Sequence, residues 1–143
     1  MRAQDFMTSV IITAELNTPV IKAAKLMAAE DIGSLIVTKN ETMTGIVTQR
    51  DIIAAQLLSD DVYNSLCLED IMSSPVVSVG PNADLGQIIV LMDNTGKKHI
   101  PVIDGEVMVG IITAGDLIRV LATMKMIVDG VSEEFDSPED IEE

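Results

Sequence analysis

Leu85, Ile88, Ile89 and Met92 fall at i, i+3, i+4 and i+7, a spacing that gathers four apolar side chains into one helical stripe. Val20, Ala24 and Met27 repeat that stripe earlier in the chain. The pattern predicts helices over about residues 19–30 and 83–95. Each follows a start signal: Thr18 as N-cap with Pro19 in the first helical position, and Asn82 as N-cap. Short β-branched or apolar runs predict strands at "VII" (10–12), "SLIV" (34–37), "TGIVT" (44–48), "VVSV" (76–79), "HIPVI" (99–103) and "VMVGIIT" (107–113). Asp104-Gly105 is a tight-turn pair between the last two. Further helices are predicted to start near Asp51 and Asp116. The second of these, "DLIRVLATMKMIV", is long and apolar enough to pack on a partner.

The pattern is written twice. Residues 6–53 slide over 71–118 without a gap, and 13 of 48 positions are identical. Among the identities are Met7/Met72, Gly45/Gly110, Thr48/Thr113 and Asp51/Asp116. A gapless match of this length points to a duplicated supersecondary unit, each copy β-α-β-β-α, and two copies suit a face-to-face pair better than a solenoid. The expected class is α/β (α+β), with two pseudo-symmetric repeats built on three-stranded mixed sheets. The expected division is a first repeat over 1–58, a polar linker over 59–70, a second repeat over 71–128 and an acidic tail over 129–143.

Composition narrows the function. At 143 residues the chain can bury one domain-sized core, and with no Trp, one Tyr and two Phe its volume comes from aliphatic residues and nine Met. No apolar run approaches the roughly 18 residues of a membrane helix, and the start of the chain does not read as a signal peptide. A single cysteine, Cys67, excludes an internal disulfide and fits a cytoplasmic setting. From Asp129 to Glu143 there are eight acids and no base, so more than half of the net charge of −14 lies in the tail, read as solvated and mobile. The overall sign argues against nucleic acid and against anionic membrane surfaces.

Residues 45–51 read "GIVTQRD" and residues 110–116 read "GIITAGD", both Gly-apolar-apolar-Thr-x-x-Asp. Thr-x-x-Asp before a helix is a capping-box pattern, in which the hydroxyl caps free N–H groups and the carboxylate sits in the first turn. The same geometry suits a ligand. A helix N-terminus favours phosphate, and a carboxylate facing a cleft can accept two hydrogen bonds from a cis-diol such as ribose. The pattern alone leaves both readings standing. "GKKHIPV" (96–102) adds a local positive spot in an acidic chain, which suits an anion as well as a solvated turn.

"DFMTSVIIT", "GIVTQRD", "LEDIMSSPVVSVGPNADL", "KHIPVID" and "GIITAGD", in order and twice over, resemble a tandem pair of cystathionine-β-synthase-type (CBS) domains, the Bateman module, over about residues 4–125. The resemblance implies a stand-alone ligand-sensing module that binds adenosine-containing molecules in clefts between the repeats. In the first site it places Thr48 and Asp51 on ribose, Val76 and Val77 against adenine, Pro101 as a wall, and Lys98 and His99, helped by Arg50, on phosphate. In the second it places Thr113 and Asp116 on ribose and Ile11 and Ile12 on adenine. The phosphate positions there fall on Gly33 and Ser34, and the proline position on Ile36, a departure from the family's basic pattern. That site is expected to hold an uncharged ligand weakly or to stay empty.

No cofactor is expected. The implied ligand is an adenine nucleotide of the AMP, ADP or ATP type, with or without Mg. Cys67 and His99 are the sole Cys and His, so no Cys/His metal set is available, and no nucleophile, P-loop or dinucleotide fingerprint supports an enzyme. Two alternatives stay open: a structural dimerisation or scaffold module with vestigial sites, and a binder of S-adenosylmethionine or NAD. The apolar run 117–128 predicts a homodimer through the helices, and the regulated partner would be an enzyme or transporter.

Overall fold

The computed structural model describes residues 1–130. The expectation of a mobile acidic tail therefore lies, beyond Asp129 and Gly130, outside the described residues. The first copy opens with a short helix α1 (Ala3–Phe6), followed by strand β1 (Thr13–Glu15), helix α2 (Val20–Glu30), strands β2 (Ser34–Lys39) and β3 (Thr42–Thr48), and helix α3 (Gln49–Gln56). Two short helices, α4 (Asp60–Ser65) and α5 (Leu68–Ile71), occupy most of the segment expected as a linker and run just past it. The second copy continues with α6 (Leu85–Thr95), β4 (His99–Asp104), β5 (Val107–Thr113) and α7 (Ala114–Val128).

β1 pairs parallel to β2, and β2 antiparallel to β3, giving the expected three-stranded mixed sheet. The two-residue turn between β2 and β3 puts both Asn40 and Glu41 at positive φ, the geometry that follows the twist of a hairpin. Its counterpart between β4 and β5 uses Gly105, φ 64°. In the second copy the sheet is two-stranded. The "VVSV" run expected as its third strand reaches β4 through Val79 alone, whose N–H donates to Pro101 and whose carbonyl accepts from Ile103.

Other expectations are corrected in detail. The "VII" run does not form the first strand, which starts after it at Thr13; Ile12 gives β2 only its carbonyl, to the Ile36 N–H. Pro19, not Thr18, is the N-cap of α2, because Pro19 keeps an extended ψ of 138°. Asp84, not Asn82, caps α6, accepting from the Gly86 N–H at 2.9 Å. In the α6 stripe Leu85 and Ile88 are buried, but Ile89 is exposed.

Each copy's core is completed by the other copy's leading segment. Leu68 of α5 is fully buried among Val20, Ala23, Leu35, Val37 and Val47 of the first copy. Ala3 of α1 is fully buried with Ile88, Val102, Ile112 and Leu117 of the second. The backbone follows suit: Ala3 N–H donates to Ala83, and Leu68 N–H to the equivalent Thr18; Thr8 exchanges a pair of bonds with Ile111, and Ser73 with Ile46. This exchange fixes how the copies face each other and so positions the clefts between them.

Candidate functional site

Two of the clefts that open at the seam hold expected site residues. The first, about 440 Å³, is lined from the first copy by Gly33, Ile46, Thr48, Gln49, Arg50 and Asp51, and from the other side by Ser73, Gly96, Lys97, Lys98 and His99. Its central feature is the start of α3. Thr48 caps the helix by accepting from the Asp51 N–H at 3.4 Å, and Asp51 Oδ2 accepts from the Thr48 N–H at 2.9 Å. The capping box predicted from Thr-x-x-Asp is therefore present. It does not consume the carboxylate: Oδ1 accepts no hydrogen bond from any described residue, and Asp51 lines the cleft. Thr48, Asp51, Arg50, Lys98 and His99 are thus brought together as expected.

Three expected members are not. Pro101 is fully buried inside β4, where its carbonyl holds Val79, and does not reach the cleft. Val76 and Val77 are half-buried and also miss the lining, because their segment is not a strand laid along β4. Sequence reasoning missed Gln49, Ser73 and Lys97. Lys97 was legible as the neighbour of Lys98; Ser73 enters only because the exchanged segment after α5 pairs with Ile46.

Charge sets the first cleft apart. The chain has nine Lys and Arg, and three of them, Arg50, Lys97 and Lys98, line this one hollow in a protein of net charge −14. Lys97 and Lys98 come from the copy opposite Asp51, and Arg50 from the same helix turn as Asp51. A ligand carrying hydroxyls at one end and an anion at the other matches that arrangement.

The second cleft, about 320 Å³, is lined by Thr8, Val10, Ile11, Ile12, Ser34, Ile36, Ile111, Thr113 and His99, with Glu30 and Asp31 bringing negative charge. Ile11, Ile12, Ser34 and Thr113 fall where expected. Asp116 does not: it is buried behind the lining. Its Oδ2 accepts from the Thr113 N–H at 2.9 Å, and its Oδ1 is taken by the Arg119 guanidinium, with the Thr8 hydroxyl at 3.5 Å.

His99 lines both clefts. Its ring rests against Gly33, where an added Cβ would stand 3.1 Å from Cε1. Nδ1 is buried with no partner among the described residues. Burial pushes the imidazole pKa below 6.5, Asp116 pulls against that shift, and Lys98 reinforces it. Among the described residues no group of three or more His, Cys, Asp or Glu is placed to hold a metal ion, and no helix is long and apolar enough to cross a membrane.

The duplicated fold and seam clefts define a class. Two segments, residues 3–58 and 68–123, match the family described as CBS domain, and the chain belongs to that family. It is 30% identical over 114 residues to the CBS domain-containing protein YhcV of Bacillus subtilis, covering 80% of this chain and 81% of that one. It spans 51% of the mitochondrial CBS domain-containing protein CBSX3 of Arabidopsis thaliana, again at 30% identity. Among solved structures it is similar to the CBS domain pair of protein MJ0100 in complex with 5′-methylthioadenosine and S-adenosyl-L-methionine. That likeness has a TM-score of 0.78 and 25% identity, over 87% of this chain and 98% of that one.

Proposed function

We propose that this chain is a non-catalytic sensor that binds an adenine nucleotide of the AMP, ADP or ATP type in the first cleft and reports its presence to a partner. The observation that carries the reading is that Arg50, Lys97 and Lys98 line the same cleft as the Asp51 carboxylate, which keeps an uncommitted oxygen. Asp51 and Thr48 take the ribose hydroxyls, and Lys98 and Arg50 take phosphate, alone or with Mg. The walls belong to both copies, so an occupant ties the start of α3 to the turn before β4. Binding regulates only if the tied arrangement has a different affinity for the partner. The MJ0100 pair holds adenosine-derived ligands, which supports the same ligand class here.

The exposed apolar face of α7 supports a homodimer, and the hexameric CBS-CP12 protein from bloom-forming cyanobacteria, 28% identical with a TM-score of 0.77, supports self-association in general. A regulated enzyme or transporter acts as the downstream partner.

The test is a thermal-unfolding titration with adenosine, AMP, ADP, ATP, S-adenosylmethionine and NAD. A ligand selective for the folded state at about 100 times its Kd adds ~2.7 kcal/mol, a shift of several degrees. AMP, ADP or ATP is expected to raise the midpoint, and Asp51→Ala to remove most of that rise. No shift with any adenosine compound would leave a scaffold role as the better account.

A further inference from the structure

The two copies differ at one position that bears directly on the carboxylates. Asp51 is followed three residues later by Ala54; Asp116 is followed three residues later by Arg119. The consequence is visible in the side chains. Asp51 lines its cleft and leaves Oδ1 without a hydrogen bond from any described residue. Asp116, 5% exposed, lies behind Thr8 and Thr113, both of which line the second cleft while it does not. Its Oδ1 is held by the Arg119 guanidinium, and its Oδ2 by the helix cap. Arg119 itself is 72% exposed, so the lock is reached from solvent.

We infer that Arg119 is a specificity-determining latch on the second cleft: it occupies the carboxylate a diol-bearing ligand needs, and so makes the two clefts chemically unequal. The inference deepens the reading of Asp51 as a diol-binding group and rests on it. A ribose entering the second cleft must displace Arg119; the exposed guanidinium can move out into water, and the diol hydroxyls must take its place so that the buried carboxylate is not left unpaired. What enters must also suit the rest of the wall. Ile11, Ile12 and Ile111 offer an apolar floor, and Glu30 and Asp31 repel phosphate. The class that fits is therefore a phosphate-free nucleoside, uncharged or cationic, admitted only when the latch swings away. In this arrangement the second cleft has a threshold that the first lacks.

The test isolates the second cleft by disabling the first. Adenosine binding is measured by calorimetry on the full chain, on Asp51→Ala, and on Asp51→Ala combined with Arg119→Ala or Arg119→Lys. Alanine restores what the first copy has at the equivalent place, Ala54. Folding of each variant is checked by its unfolding midpoint. The Asp51→Ala, Arg119→Ala chain is expected to bind adenosine roughly tenfold more tightly than Asp51→Ala alone, the scale of freeing a charged acceptor. Adding Asp116→Ala should abolish the gain, and Arg119→Lys, which keeps the cation, should show less of it. Equal affinity with and without Arg119, including no binding by either, overturns the latch. An adenosine affinity of the unaltered chain that Asp51→Ala leaves unchanged overturns the reading of the first cleft instead, whereas a weak residual affinity in Asp51→Ala is the second cleft's own, so the two failures are distinct.

Discussion

The side chain of Met72 lies against the Cα of Gly45, so close that a Cβ added there would stand 2.8 Å from Met72 Cγ. Gly110 and Met7 repeat the contact, with Met7 Cγ also at 2.8 Å from the would-be Cβ. In both pairs the methionine follows an exchanged leading helix, so each glycine is the point at which one copy receives the other. The difference lies in a third atom. At Gly110 the Thr8 carbonyl oxygen is 2.9 Å from the added carbon, whereas at Gly45 the three nearest atoms all belong to the flexible Met72. Met72 can swing aside; a carbonyl bonded to the Ile111 N–H cannot.

Gly110→Ala is therefore expected to destabilise the protein more than Gly45→Ala, with both costs in the range of ~1–3 kcal/mol for overpacking. Urea unfolding at fixed pH measures the two. In a double-mutant cycle with Met72→Ala, the cost of Gly45→Ala should shrink, while Met7→Ala should relieve Gly110→Ala less. Equal costs at the two glycines would contradict the role given to the Thr8 carbonyl.

His99 gives the protein a pH dependence of known sign. Its folded pKa lies below 6.5, chiefly through burial, so near and just below that value the unfolded chain binds more protons than the folded one. Its contribution is fully present above pH 6.5 and is lost as pH falls below it, the loss ending near the lowered folded value. Unfolding free energy should drop between pH 7.5 and pH 5.5, and His99→Gln should flatten that slope. Glu15 acts in a lower window. Its carboxylate, held by the Thr38 hydroxyl at 2.5 Å and the Asn40 N–H, has a pKa lowered from 4.5, so its share is lost only below that pH. A slope through pH 6.5 that His99→Gln leaves unchanged would exclude the imidazole as its source.

Lys98 separates two ends of a nucleotide. It lines the cleft that Asp51 lines, on the opposite copy. If it meets phosphate, Lys98→Ala should weaken AMP roughly tenfold and leave adenosine nearly unchanged. The salt dependence of AMP binding should fall with it, since a screened charge contact is lost. Equal weakening of AMP and adenosine would place Lys98 on the nucleoside end, or show that it acts by shaping the turn before β4.

Much of this architecture was legible because periodicity and duplication report on burial. The β2–β3 and β4–β5 hairpins and the helices starting at Thr48 and Thr113 sit where "SLIV", "HIPVI" and Thr-x-x-Asp place them. What was not legible depends on partners distant in sequence. "VVSV" has the composition of a strand, yet only Val79 meets β4, and the "VII" run ends where β1 begins. The exchange of α1 and α5 is invisible in a gapless alignment, because sliding one copy over the other does not reveal which copy's core Ala3 or Leu68 enters. Within the clefts the twin aspartates looked alike. Arg119, an ordinary exposed helix residue in the sequence, is what sets them apart.

The outer face of α7 makes the last prediction. Ile118, Leu121, Met124 and Val128 follow one another at spacings of three and four and are all exposed, from 42% to 81%. Ile53, Leu57 and Leu58, in and just after α3, are exposed as well. Water against that much exposed apolar surface is unfavourable by roughly 25 cal/mol for each Å² left uncovered, and a second copy laid on α7 removes the share on that helix. The protein is expected to run as a dimer of twice the 15.3 kDa chain mass in light scattering at micromolar concentration. Leu121→Asp puts a charge in the middle of the stripe and should give a folded monomer, with the AMP-induced thermal shift retained because Leu121 lines neither cleft. A clean monomer for the unaltered chain would remove the helix face as its means of assembly, and an unaltered dimer in Leu121→Asp would move the interface elsewhere.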